Sequence, residues 1–269
     1  MIARLTTAAV GIPLLVLVVW VGEPWFSVVV ALFAGVVALE VCRMALNQGI
    51  KLPQLTIAIM AMILVVSHFA YTPENSPPLR AVQGIWLVMA VIAVLLVAVK
   101  SIKGLNTQFW GIGLGAVLYS GAFLAHAPLL RGIDQGLEWV FFLFIVTFST
   151  DTAAFFVGKA IGKRPLAPTI SPKKTWEGAV GGFVAAIVAA TVAAAALNLE
   201  AEMVAIVILG GLMGIVGQAG DLVESKLKRL AKVKDSGWLM PGHGGVLDRL
   251  DSIVFNLVLV YYFLIWGVQ

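Results

Sequence analysis

Apolar runs of about 20 residues, the length a helix needs to cross a bilayer, recur along the chain with short polar turns between them. No other feature constrains the fold as strongly. Backbone amides inside lipid must be bonded within the chain, so runs of this kind can only be membrane-spanning helices. Composition agrees: 12% of residues are charged, against roughly 25% in a soluble domain. The expected fold class is therefore an all-α integral membrane protein. We read nine spans, near 5–22, 25–42, 55–71, 81–99, 109–128, 137–157, 177–197, 202–220 and 251–268. Turn chemistry marks several connections, among them Gly22-Glu-Pro24, Pro73-Glu-Asn-Ser-Pro-Pro78 and Gly132-Ile-Asp-Gln-Gly136. The first run has Arg4 ahead of it and lacks a clear small-x-small cleavage site, so it is read as a retained span. Cys42 is the lone cysteine, which excludes an internal disulfide framework and a cysteine-rich metal site.

The basic residues orient these spans. With nine crossings, Arg4, Arg43, Lys51, Lys100 and Lys103 share one side with every Lys and Arg from Lys159 to Arg249. Of the 18 Lys and Arg residues only Arg80 and Arg131 fall on the other side. The positive-inside rule then places the N-terminus in the cytoplasm and the C-terminus outside. Polar chemistry is just as one-sided. Residues 1–136 read as a membrane scaffold of five spans, and 137–269 as a catalytic membrane region with cytoplasmic loops at 158–176 and 221–250.

Four stretches of that second region carry candidate chemistry. In "FSTDTAAFFVGKAIGKR", Asp151 lies inside the sixth run, where a charge costs about 2.5–3.5 kcal/mol on insertion scales and so faces a partner or a polar cavity. In "ISPKKTWEGAVGG", Ser171, Lys173, Lys174 and Thr175 suit a phosphorylated ligand, although positive-inside charge and a helix cap also explain them. In "GQAGDLVESKLKRLAKVKD", Gln218, Asp221 and Glu224 step along one helix face, followed by Ser225, Lys228 and Arg229. The basic segment there equally suits anionic lipid headgroups. In "PGHGGVLDRLDS", Gly244 and Gly245 beside His243 let the backbone approach a ligand, and Asp248, Arg249 and Asp251 open the last span. A helix start welcomes Asp251 without any catalysis. Together the acids Asp221 and Asp248, with Asp251 and Asp151 as further candidates, suit a Mg²⁺–phosphate site. The second region has no His/Cys cluster suited to zinc.

The segment "SKLKRLAKVKDSGWLMPGHGGVLDRLDS" resembles the signature of phosphatidate cytidylyltransferases, also called CDP-diacylglycerol synthases. Ser225, Lys228, Arg229, Lys234, Asp235, Pro241, His243, Gly244, Gly245, Asp248, Arg249 and Asp251 fill its positions. "SPKKTWEG" and "GQAGDLVES" are also similar to family motifs. The resemblance implies a bacterial inner-membrane enzyme, its site facing the cytoplasm, that joins CTP and phosphatidate to give CDP-diacylglycerol and pyrophosphate. It implies Mg²⁺, with a second cation left open, and a homodimer. It casts Asp221 and Asp248 as metal ligands, Lys228, Arg229 and Arg249 among the catalytic cations, and Ser171, Lys173, Lys174, Thr175, Ser225, His243, Gly244 and Gly245 as substrate-binding. The rival readings are an ion-coupled transporter and another CDP-linked lipid phosphotransferase.

Overall fold

The structure is a computed structural model that describes residues 2–67, 107–237 and 244–267. The expected span at 81–99, and with it Arg80, Lys100 and Lys103, lies outside the described residues, as does His243. In chain order the helices are α1 (Ile2–Val21), α2 (Trp25–Asn47), α3 (Gln54–Ser67) and α4 (Thr107–Val117), which passes into a π-helical turn at Leu118–Ala122. Then come α5 (His126–Arg131), α6 (Gly136–Ile161), α7 (Trp176–Ala196), α8 (Met203–Leu230) and α9 (Leu247–Gly267). Between α6 and α7 sits an antiparallel hairpin, β1 (Pro165–Ala167) and β2 (Ser171–Thr175), which pairs Pro165 with Thr175 and Ala167 with Ser171. Among the described residues six segments are long and apolar enough to cross a membrane: Trp25–Asn47, Gly111–Arg131 and helices α6 to α9. They coincide with the second, fifth, sixth, seventh, eighth and ninth expected spans. The chain is thus a multi-pass helical membrane protein.

The chain divides into two units. One, Glu23–Pro128, packs α2 against α3 and the π-helical turn. Its α2 ends where Gly49 takes a left-handed φ of 80°, which lets Ile50 N–H donate to the Ala45 carbonyl.

The other unit joins Met1–Gly22 to Leu129–Gln269 and holds the four helices α6 to α9. Arg131 donates from Nε to the Val19 carbonyl and so satisfies the C-terminal end of α1. Small residues set the helix spacing. A Cβ on Gly178 of α7 would lie 2.7 Å from the Ala154 carbonyl oxygen of α6 and 3.1 Å from Gly158 Cα, so only glycine permits this approach. A similar seam joins α7 to α8, where Gly210 faces Ala190 and Gly214 faces Ala186. At the end of these helices away from the hairpin, Gln135 receives the Glu200 N–H and donates to the Asn198 carbonyl, tying the α7–α8 turn to the start of α6. At the hairpin end lie the C-termini of α6 and α8 and the N-termini of α7 and α9.

Several helices run past their expected limits, α2 to Asn47 and α6 to Ile161 among them. The stretch 221–250 was expected as a loop, but α8 continues unbroken to Leu230, and Lys232 (φ 57°) ends it by letting Val233 N–H reach the Lys228 carbonyl. The Glu224–Lys228 pair one turn apart supports that extension. Helix α9 likewise begins at Leu247, one turn before the expected span.

Candidate active site

Helices α6 to α9 each bring a carboxylate or a cation to the hairpin end. A cavity of about 790 Å³ opens there, lined by Asp151, Lys159, Lys173, Lys174, Thr175, Gln218, Asp221, Asp248, Arg249 and Asp251. Its apolar wall includes Phe148 and Phe155 of α6, both exposed on the helix surface. Acids and bases therefore face one space that an apolar chain can also reach.

Asp221, Glu224 and Asp251 form the acidic centre. Each offers a carboxylate oxygen, and these oxygens lie within 4.8 Å of one another. At that separation two full negative charges repel by about 3.5 kcal/mol at an effective dielectric of about 20. Lys174 relieves part of this through an ion pair to Asp221 Oδ2. Ser225 Oγ, one turn on, donates to Asp221 Oδ1 at 3.4 Å. Glu224 is fully buried, and among the described residues its Oε1 has no hydrogen-bond partner. Three clustered carboxylate oxygens with no Cys or His in the group could hold a metal ion, and an all-oxygen donor set suits a hard cation.

Asp248 stands beside this group with different partners. Its Oδ1 takes Lys228 Nζ at 2.6 Å, and its Oδ2 accepts from Ser236 N at 2.9 Å, Ser236 Oγ at 3.0 Å and Gly245 N at 2.8 Å. Lys228 Nζ also lies 2.6 Å from Glu224 Oε2. One ammonium is thus shared between α8 and α9, with side-chain exposures of 13% for Lys228, 0% for Glu224 and 8% for Asp248. Gly244 adopts φ 83°, and a Cβ there would meet Asp248 Oδ2 at 2.5 Å, so this turn requires glycine twice over.

The hairpin carries the basic wall. Lys173 and Lys174 lie on β2, and Thr175 caps α7 by accepting the Gly178 N–H at 3.1 Å. Glu177 in the first turn of α7 receives the Lys163 and Arg164 N–H groups on one oxygen at 3.1 and 3.2 Å, which fixes the start of the hairpin to its end. Arg229 holds the hairpin turn, donating from Nε to the Ile170 carbonyl at 3.2 Å and from Nη1 to Val233 at 3.3 Å. Ser171 sits in the strand register opposite Ala167.

The structure therefore brings Asp151, Asp221, Asp248, Asp251, Lys173, Lys174, Thr175 and Arg249 to one cavity. Lys228 and Arg229 are engaged with protein groups, Ser225 donates to Asp221, and Ser171 lies in β2. The sequence reading did not pick out Glu224, Lys159 or Ser236 as site residues. Glu224 had a visible signal, its position one turn from Asp221 on the same face; Ser236 had none.

The cytidylyltransferase family matches residues 2–266 of the chain. The chain belongs to that family. Among proteins similar to it is a phosphatidate cytidylyltransferase of Bacillus subtilis (strain 168), 35% identical over 266 residues that cover 97% of this chain and 96% of that protein. Another is the phosphatidate cytidylyltransferase of Brucella suis biovar 1 (strain 1330), 43% identical over 159 residues, 57% of this chain and 58% of that one. A third, from Staphylococcus saprophyticus, is 31% identical over 234 residues, 87% of each chain. In this cytidylyltransferase-family chain the acids and bases that line the cavity lie in the unit that contains α6 to α9.

Proposed function

We propose that the chain transfers the cytidylyl group of CTP to phosphatidate, giving CDP-diacylglycerol and pyrophosphate for phospholipid synthesis. It is a nucleotidyltransferase enzyme, in keeping with its family and with the names of its relatives. The observation that carries the reading is the single cavity that pairs a carboxylate wall with a lysine–arginine wall and an exposed aromatic edge. That combination suits two anionic substrates, one soluble and one held by its acyl chains in lipid.

In the reaction a phosphatidate phosphate oxygen attacks the α-phosphorus of CTP. The new P–O bond forms as the bond to the β-phosphate breaks, and pyrophosphate leaves with its electron pair. Lys173, Lys174 and Arg249 screen the repulsion between the substrates and stabilise the charge that grows on the leaving group. Asp221, Glu224 and Asp251 would hold Mg²⁺, with Asp151 opening onto the same cavity. Such an ion supplies Lewis-acid stabilisation of the phosphoryl oxygens. Asp248 sets the Gly244–Gly245 turn through three donors on Oδ2, and its Oδ1 keeps Lys228 beside Glu224. The sequence assignment of Asp248 as a direct metal ligand stays part of the proposal, because Asp248 lines the same cavity. Because phosphatidate is already ionised near neutral pH, the chain needs no general base.

The one-sided distribution of Lys and Arg supports a site open to the cytoplasm in a bacterial inner membrane; the relatives named above are all bacterial. A homodimer follows from the family resemblance. A transporter is not favoured, because the polar groups gather at one end of one unit rather than at a repeat interface near mid-span. The test is pyrophosphate release from CTP and phosphatidate by purified Asp221→Asn and Asp251→Asn, with Mg²⁺ varied. A loss of at least about 100-fold is expected; near wild-type turnover by folded protein would remove the carboxylate assignment.

A further inference from the structure

One helical turn deeper than the acidic centre, three helices meet at a polar contact that the reaction does not use. Asn256 of α9 donates from Nδ2 to Thr147 Oγ1 of α6 at 3.0 Å. Both residues are 1% exposed, amid apolar residues of helices long and apolar enough to cross a membrane. The third party is Gly217 of α8, where a Cβ would lie 2.8 Å from Asn256 Nδ2. One turn along, a Cβ on Gly220 would meet the Asp251 carbonyl oxygen at 2.8 Å, so α8 and α9 stay in close approach between the two levels. Asn256 Oδ1 and Ser252 Oγ are buried with no hydrogen-bond partner among the described residues. An orphaned acceptor in a helix core is costly, so stability alone does not explain an asparagine here.

The register does. From Thr147 four residues along α6 lead to Asp151, and from Gly217 four residues along α8 lead to Asp221. From Asn256 five residues back along α9 lead to Asp251. At 1.5 Å per residue these steps are about 6, 6 and 7.5 Å. Asp151, Asp221 and Asp251 of the cavity thus each stand about one turn above a member of the contact, on their own helices. Between spans in lipid there is little hydrophobic force to hold two helices in one rotation. Apolar side chains can slide past one another, whereas a hydrogen bond seated on a glycine fixes separation and rotation together.

We infer that the Thr147–Asn256 hydrogen bond, seated on Gly217, is a positioning node that sets the mutual spacing of Asp151, Asp221 and Asp251. Thr147 and Asn256 are positioning residues; neither touches substrate. The inference rests on the proposal that Asp221 and Asp251, with Glu224, hold a divalent cation beside Asp151, and it locates what gives that site its geometry.

The experiment titrates detergent-purified full-length protein with Mn²⁺, read by electron paramagnetic resonance without substrates, beside a melting curve. Thr147→Val keeps the shape and removes the acceptor; Thr147→Ser keeps the acceptor; Asn256→Ala removes the donor. The expected result is Mn²⁺ binding weakened by about tenfold or more in Thr147→Val and Asn256→Ala, restored in Thr147→Ser, with the melting temperature nearly unchanged. Wild-type Mn²⁺ affinity in Thr147→Val and Asn256→Ala, beside its loss in Asp221→Asn, would overturn the node and leave the metal site standing. Wild-type affinity in Asp221→Asn would overturn the metal site, and the node with it. Parallel loss of melting temperature and Mn²⁺ binding in both variants, without rescue by Thr147→Ser, would reduce the contact to ordinary packing and also overturn the inference.

Discussion

Replacing Lys228 with methionine separates two accounts of this cation. The sequence suggests a phosphate-binding residue. The structure places Nζ 2.6 Å from both Glu224 Oε2 and Asp248 Oδ1, with the three side chains at most 13% exposed. Methionine fills similar space and leaves two acids facing each other without their shared counter-charge. Asp248 retains its bonds from Ser236 and Gly245, but Glu224 Oε1 has no hydrogen-bond partner among the described residues, so Glu224 bears most of the loss. Removing one partner of a buried pair typically costs about 3–5 kcal/mol. In a chain of this size that corresponds to a fall in melting temperature of about 10 °C. Adding Glu224→Gln to Lys228→Met should recover part of it, because the second change removes the uncompensated charge. The assay is thermal unfolding in detergent of the wild type, both single variants and the double variant, read as a double-mutant cycle. An unchanged melting temperature in Lys228→Met, with only a raised KM for CTP, would refute the buried-triad account and return Lys228 to the substrate.

Three further outcomes follow from the geometry. Gly178→Ala drives a methyl into the Ala154 carbonyl across the α6–α7 seam and should destabilise the protein by about 1–3 kcal/mol, seen as a lower melting temperature. Glu177→Gln weakens the acceptor that holds the Lys163 and Arg164 amides, so limited proteolysis within 162–175 should quicken and KM for CTP should rise while the melting temperature hardly moves. Gly244→Ala meets both a left-handed φ and the Asp248 carboxylate; turnover should collapse, and Gly244→Asn, which tolerates that φ but not the space, should fail to rescue it.

The parts of the site that were legible in the sequence are those where chemistry is out of keeping with its surroundings. Asp151 announces itself as a charge inside an apolar run, and Asp248, Arg249 and Asp251 as charges at the mouth of one. The periodicity that placed Gln218, Asp221 and Glu224 on one face was also informative, since α8 does continue through all three. What stayed hidden depends on partners distant in sequence. Nothing local says that Lys228 turns to Asp248 of another helix, or that Arg229 reaches back to the Ile170 carbonyl. The β1–β2 hairpin was hidden for a different reason. Its strands are three and five residues long, and Pro165, Pro168 and Pro172 give the stretch the composition of a loop. The continuation of α8 past its apolar run was obscured because a charged stretch after such a run looks like a connection. Its i, i+4 pair is worth little until Glu224 is buried, and burial is a tertiary property.

The most direct measurement of the central claim is product stoichiometry from purified wild-type protein supplied with CTP, phosphatidate and Mg²⁺. CDP-diacylglycerol and pyrophosphate are predicted in equal amounts, with neither formed when CTP, phosphatidate or the metal is omitted. Release of phosphate or pyrophosphate from CTP without lipid product, or ion flux across proteoliposomes with no CTP consumed, would contradict it.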